Sequence, residues 1–172
     1  PCEYVNDLWV GDPTVSGGDD CDDADATVYP NATEVCDGQY NDCASRFYSA
    51  TASPTDEQDG DGDTFVACSG FIADDWVGDA SVTGDDDCDD ADATVYPSAD
   101  EICDGQYNDC DDPAYDADSA PDDEQDGDDD GYVVAYCDPS AVDWHGGTAV
   151  VSGTDCDDAD ALVYPGATEI CD

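Results

Sequence analysis

Aspartates at alternate positions are the residues of this chain with the clearest chemistry. The run Asp126-Gly-Asp128-Asp-Asp130-Gly131-Tyr132 and its counterpart Asp59-Gly-Asp61-Gly-Asp63-Thr64-Phe65 each set their carboxylates two residues apart. Carboxylates so spaced wrap one hard cation where glycine lets the chain turn sharply, and a main-chain carbonyl at the seventh position adds another oxygen. Those carbonyls belong to Phe65 and Tyr132, and the pattern matches the first half of an EF-hand-like calcium loop. Two departures stand out: Thr64 replaces the turn glycine, and Gly70 or Cys137 stands where an EF-hand places a bidentate glutamate. The missing oxygens must come from elsewhere, and Asp56 with Glu57, or Asp123 with Glu124, are the nearest candidates.

A second acidic pattern occurs three times at fixed spacing: Asp20, Asp22, Asp23, Asp25 and Glu34; Asp87, Asp89, Asp90, Asp92 and Glu101; Asp155, Asp157, Asp158, Asp160 and Glu169. Such spacing suits several hard oxygen ligands gathered on one ion. A third cluster, Asp37, Asn41 and Asp42 with Asp104, Asn108 and Asp109, lies inside short cysteine-bounded loops and is placed to complete either site.

These clusters sit in a chain of extreme charge. Against 48 acidic residues there is one basic residue, Arg46, for a formal charge of −47 over 172 residues. Two carboxylates about 5 Å apart repel by roughly 0.8 kcal/mol even in bulk water, so a compact body of this composition needs cations. Phosphate contacts need lysine or arginine, which argues against nucleic acid and anionic membrane surfaces as partners. No apolar run approaches the length of a membrane span, and any export signal is expected outside this window. The 11 cysteines point to an oxidising, extracellular compartment and a bridged fold, against the alternative of a disordered acidic tail.

The elements that position the carboxylates are set by an internal repeat. Asp20-Cys-Asp-Asp-Ala-Asp-Ala-Thr-Val-Tyr-Pro30 returns at 87–97 and, with Leu162 replacing threonine, at 155–165. Cysteines follow the same register in four columns: Cys2, Cys68, Cys137; Cys21, Cys88, Cys156; Cys36, Cys103, Cys171; Cys43, Cys110. Trp9, Trp76 and Trp144 align as well. We divide the chain into repeat 1 (1–66), repeat 2 (67–135) and a partial repeat 3 (136–172). Both ends fall inside a repeat, so an array continuing in both directions is expected. The fold class expected is mostly irregular with a little β structure: tandem disulfide- and calcium-stapled repeats with short β-hairpins in a rod-like array. The β-prone runs 64–69 with 76–83 and 132–137 with 148–152 read as a hairpin or small sheet. At most single helical turns are expected, for example around 23–27.

Two disulfide schemes fit the columns. The first joins Cys2–Cys21, Cys68–Cys88, Cys137–Cys156, Cys36–Cys43 and Cys103–Cys110; it is preferred because its bridges are local and the 36–43 loop is rich in turn residues. The alternative joins Cys21–Cys36 and Cys43–Cys68. No Cys-x-x-Cys pair supports a zinc or iron–sulfur site.

The run Asp-Cys-Asp-Asp-x-Asp-Ala-x-Val-Tyr-Pro-x-Ala-x-Glu-x-Cys-Asp-Gly-x-x-Asn-Asp-Cys, followed by Asp-Glu-x-Asp-x-Asp-x-Asp-Gly-Tyr, resembles the MopE-type metal-binding repeat of bacterial surface and secreted proteins. More loosely it is similar to thrombospondin type 3 repeats, in which aspartate loops and disulfides wrap calcium. The family label implies copper, but methionine is absent and carboxylates favour calcium, several ions per repeat, with magnesium second and copper disfavoured. His145 aligns with Val10 and Val77, so the repeat does not depend on it.

The reading that follows is an extracellular calcium-binding structural repeat protein, not an enzyme, that forms a cell-surface stalk or filament with neighbouring repeats or subunits as partners. General acid–base or triad chemistry lacks its parts. The rival classes are a secreted metal-sequestering protein, with weak exchangeable sites, and an adhesion module, with an exposed aromatic cluster among its tryptophans. Asn31-Ala-Thr33 is a glycosylation sequon, which makes a glycan at Asn31 a further expectation.

Overall fold

The structure is a computed structural model that describes residues 17–134, 144–147 and 150–169. Aspartate dictates its local character. An aspartate side chain that accepts a hydrogen bond from the amide two residues on offers the backbone a turn in place of a helix or ladder. Asp20, Asp22, Asp25, Asp61, Asp63, Asp87, Asp92, Asp128, Asp130 and Asp155 all do this, at 2.7–3.2 Å. Regular structure among the described residues is correspondingly scarce: 3₁₀ turns at Thr55–Glu57 and Asp122–Glu124, and one pairing of β1 (Tyr132–Val133) with β2 (Ser152–Gly153). Residues 23–27 are not a helical turn but two tight turns in succession, closed by Asp25 N–H to Asp22 O and Val28 N–H to Asp25 O.

The expected hairpins are corrected to parallel pairings. β1 and β2 run parallel, with Tyr132 opposite Ser152, and the equivalent bridge of Phe65 with Gly84 is parallel too. Val66 N–H donates to Gly84 O, Asp87 N–H to Val66 O, Thr83 N–H to Thr64 O and Asp86 N–H to Cys68 O. A hairpin needs the chain to reverse between its strands. Here the intervening stretch is drawn elsewhere: Val77 N–H donates to Asp37 O at 2.7 Å, so part of the 76–83 run serves the 37–38 turn. Residues 135–137 and 148–149 of the second expected hairpin lie outside the described residues.

The chain divides into two compact units, Pro1–Ala91 and Asp92–Asp172. The first buries Cys36, Val66 and Val82 together, flanked by Cys68, Phe71 and Trp76. In the second, Val133 is fully buried, as its counterpart Val66 is in the first. Full burial of one valine is worth about 1.5–2 kcal/mol, so cores this small leave bridges and polar ties to hold the chain.

The disulfides follow neither scheme expected from the columns. Cys21 bonds Cys43 and Cys36 bonds Cys68, across 22 and 32 residues. Each closes a loop worth roughly 3–4 kcal/mol in the chain-entropy account. A Cys36–Cys43 bridge is pre-empted because the fully buried Asn41 fills that loop, its Oδ1 accepting from Val35 N–H and its Nδ2 donating to Asp37. Cys36 instead turns into the core beneath Cys68, and the parallel bridge of Tyr29 with Asp42 brings Cys43 to the Cys21 segment. Cys88, Cys103 and Cys110, in the same columns, are disulfide-bonded as well. Cys156 is an exposed free thiol, which rules out the Cys137–Cys156 pairing; Cys2, Cys137 and Cys171 lie outside the described residues.

Candidate metal centres

The carboxylates of the two Asp loops are tied to the backbone, Asp61, Asp63, Asp128 and Asp130 through Oδ1 and Asp59 and Asp126 through both oxygens. Asp59 accepts from Gly62 N–H and Thr64 N–H, Asp61 from Asp63 N–H, and Asp63 from Phe65 N–H, at 2.6–3.1 Å. In the second loop Asp126 accepts from Asp130 and Gly131 N–H, Asp128 from Asp130 N–H, and Asp130 from Tyr132 N–H. Thr64 and Gly131 share the left-handed backbone conformation, at φ 84° and 93°. The sharp turn is thus kept in the first loop despite the loss of glycine, and the Thr64 hydroxyl compensates by bonding Thr83 at 2.7 Å.

These ties bring the carboxylates of each loop together. In each triad, Asp59, Asp61 and Asp63 or Asp126, Asp128 and Asp130, one carboxylate oxygen of every residue lies within 4.8 Å of the others. The Oδ2 atoms of Asp63, Asp128 and Asp130 are buried and have no hydrogen-bond partner. Burial, together with the charges of Asp61, Asp59 and Asp90, pushes the Asp63 carboxyl above its usual range. Asp128 is raised in the same way by desolvation and by Asp130, Asp155 and Asp126. Leaving an anionic oxygen buried without a donor costs several kcal/mol, which a hard cation offsets. The residues therefore fit such an ion.

The second acidic pattern, which the spacing places on one ion, is divided among separate tasks. Asp87 and Asp155 join the Asp loops: both are buried, and the Oδ2 of each is again without a hydrogen-bond partner. Burial and the charges of Asp63, Asp61 and Asp90 push Asp87 up to about 6. Asp90 and Asp158 clamp the loops from outside, accepting from Gly60 and Gly127 N–H at 2.8 and 3.0 Å. A Cβ at Gly60 would lie 2.3 Å from Asp90 O, so that glycine serves close approach. Asp20, Asp22, Asp23, Asp89, Asp157, Asp160 and Glu169 are exposed. Glu34 accepts from Asn41 and Asp42 N–H, and Glu101 from Asn108 and Asp109 N–H, so these glutamates tie the cysteine loops shut.

The third cluster is satisfied internally. Gln39 Nε2 donates to both Asp25 and Asp37, and Asn41 Nδ2 also donates to Asp37; Gln106 and Asn108 repeat this toward Asp92 and Asp104. Gln39 and Gln106 are the donors that acidic spacing does not reveal, and both stand at the same place in the repeated Asp-Gly-Gln-Tyr-Asn-Asp-Cys. Asp42 and Asp109 accept from Asn31 and Ser98 N–H, closing left-handed turns at those residues.

The upstream acids are not among the carboxylates gathered in the Asp triads. Asp56 and Asp123 are exposed, while Glu57 and Glu124 are buried and accept from Gly38 and Gly105 N–H at 2.6 and 2.8 Å. Desolvation pushes both glutamates up to about 7. Phe65 and Tyr132 open the parallel pairings next to their loops. His145 and Val77 play one backbone role, donating N–H to Asp104 O and Asp37 O, while the imidazole Nε2 lies 3.6 Å from Asp92. Trp76 and Trp144 are half-buried, each with its indole N–H bonded to a nearby backbone carbonyl.

Among the described residues no helix is long and apolar enough to cross a membrane. A family described as a putative metal-binding motif, of the copper-binding MopE type, matches the chain at residues 20–47, 87–114 and 155–172. No curated protein and no solved structure matches it. The motif copies and the Asp triads together mark a metal-binding repeat chain.

Proposed function

We propose that this chain, which belongs to the MopE-type metal-binding repeat family through three copies of its motif, is a calcium-binding structural element of an extracellular or cell-surface assembly. The observation that carries the reading is the set of buried, partnerless carboxylate oxygens in both Asp loops. Such donors are hard, and irregular loops adapt to the variable coordination of calcium more readily than to octahedral magnesium.

The family's description names copper. Against that preference, the partnerless donors are all carboxylate oxygens, methionine is absent, and the one histidine faces a single aspartate. In this reading the ions act mechanically and no catalysis is involved. They fix loops that have little core of their own, so that repeats extend as a rod-like stalk or filament whose partners are neighbouring repeats or subunits.

The test is removal of metal from the folded protein by a chelator, followed by separate return of calcium, magnesium and copper, read by circular dichroism and light scattering. The reading expects loss of structure in chelator and selective recovery with calcium. Recovery with copper alone would transfer the site to the metal in the family's description, and indifference to chelator would leave the disulfides as the sole support. A monodisperse native protein that never assembles would remove the filament.

A further inference from the structure

We propose that Asp87 and Asp155 are fourth carboxylate ligands of the two Asp-loop cations, so that each ion joins the loop between two motifs to the first residue of the motif that follows. The inference rests on the calcium reading of those loops and adds the residues that complete them. The triads 59, 61, 63 and 126, 128, 130 fall between the family's matched stretches, whereas Asp87 and Asp155 open the second and third stretch.

Three observations carry it. Asp87 and Asp155 are 6% and 8% exposed, while Asp20, which opens the first motif copy, is exposed. In both buried residues Oδ1 accepts from the amide two residues on, at 3.0 and 3.1 Å, and Oδ2 is buried with no hydrogen-bond partner. Both are held at the mouth of a loop by the parallel pairing: Asp87 N–H donates to Val66 O and Asp155 N–H to Val133 O, and each of those valines follows directly on the loop's seventh residue. An aspartate buried for packing alone would turn its free oxygen to a donor or to water. Here Asp87 feels the charge of Asp63, and Asp128 that of Asp155, and the Oδ2 atoms of Asp63 and Asp128 are themselves buried without a partner, so that only a cation or a proton makes the arrangement favourable.

A shared ion also gives the parallel pairings a purpose. The pairing beyond the first loop amounts to a few backbone bonds, too little to persist alone in water. With the ion held from both sides, loop and pairing form together.

Asparagine at 87 and 155 separates the cation from the alternatives, because its oxygen still accepts the amide that Oδ1 accepts now, and its NH₂ donates to the carboxylates around it. The experiment is calorimetric titration of the full chain with calcium, comparing wild type, the double variant Asp87→Asn with Asp155→Asn, and a charge-matched control, Asp75→Asn with Asp118→Asn. Melting in chelator is recorded for all three. The expected result is a loss of calcium affinity of about tenfold or more in the double variant, together with a higher melting temperature in chelator, and little change in the control.

Wild-type calcium binding with unchanged affinity in the double variant would overturn the fourth-ligand assignment and leave the calcium reading standing. A double variant weakened in chelator as well as in calcium would reduce both residues to structural roles. Absence of calcium binding by the wild type would overturn both. If the double variant does not fold, Asp155→Asn alone decides by the same criteria.

Discussion

In the cysteine loop Asp37 Oδ2 receives hydrogen bonds from Gln39 and Asn41, whereas in the Asp loop the buried Oδ2 of Asp63 receives none. Both regions crowd acids into a few residues. The first neutralises them with amide donors of its own chain, and the second leaves a set of oxygens that only an external cation or proton can satisfy. Acidity by itself therefore does not locate an ion in this protein; the absence of internal donors does. The same contrast recurs in the second unit, between Asp104 with Gln106 and Asn108 on one side and Asp128 with Asp130 on the other.

The contrast breaks most visibly when metal is withdrawn. In chelator, hydrogen-exchange protection of the Val66 and Asp87 amides, which close the first parallel pairing, should fall to that of free peptide. The amides of Asn41 and Asp42, held by Glu34, should stay protected. Equal loss in both places would mean that the cysteine loop also depends on ions.

The converse perturbation removes the internal donors. Asn41→Ala strips the Val35 amide and Asp37 of their buried partner and should cost about 2–4 kcal/mol by denaturant melting, a loss that calcium does not restore. Gly60→Ala should act on the other side of the contrast, since its Cβ would meet the backbone oxygen of Asp90 at 2.3 Å. We expect it to weaken calcium binding about tenfold in calorimetry while leaving Asn41 protection intact.

Proton competition sharpens the difference further. In the metal-free protein, burial raises Glu57 and Glu124 to about 7 and Asp87 to about 6, so between roughly pH 4.5 and 7 the folded chain binds more protons than the unfolded one. Stability in chelator should accordingly rise as pH falls through that window and decline as pH rises through 7. With saturating calcium the part of the trend due to Asp87 should reverse, because protons and calcium compete for its oxygens, while the part due to Glu57 and Glu124 should remain.

What was readable in the sequence follows the range of the interactions. The Asp triads were legible because their geometry is local: each carboxylate bonds an amide two to five residues on, and a period of two residues records that directly. The tandem repeat was legible for the same reason. Spacing instead groups Asp87 and Asp90 on an ion of their own motif, since nothing local shows that Asp90 reaches Gly60, 30 residues earlier.

The parallel pairings escaped because β-prone runs say nothing of direction. The preferred disulfide scheme fails on a packing fact, the buried Asn41 inside the loop that a Cys36–Cys43 bridge would close. Gln39 and Gln106 carry no charge, so a pattern of acidic ligands does not reveal that their amides stand in for a cation.

The central claim is that ions go to the Asp loops and not to the cysteine loops. The most direct measurement is a calcium titration of the metal-free chain followed by amide chemical shifts residue by residue. The account predicts that Gly62, Thr64, Gly131 and Asp87 shift first and saturate, while Gln39, Asn41 and Asn108 stay in place. Early, saturating shifts at Gln39, Asn41 and Asn108, with the Asp loops silent, would contradict it.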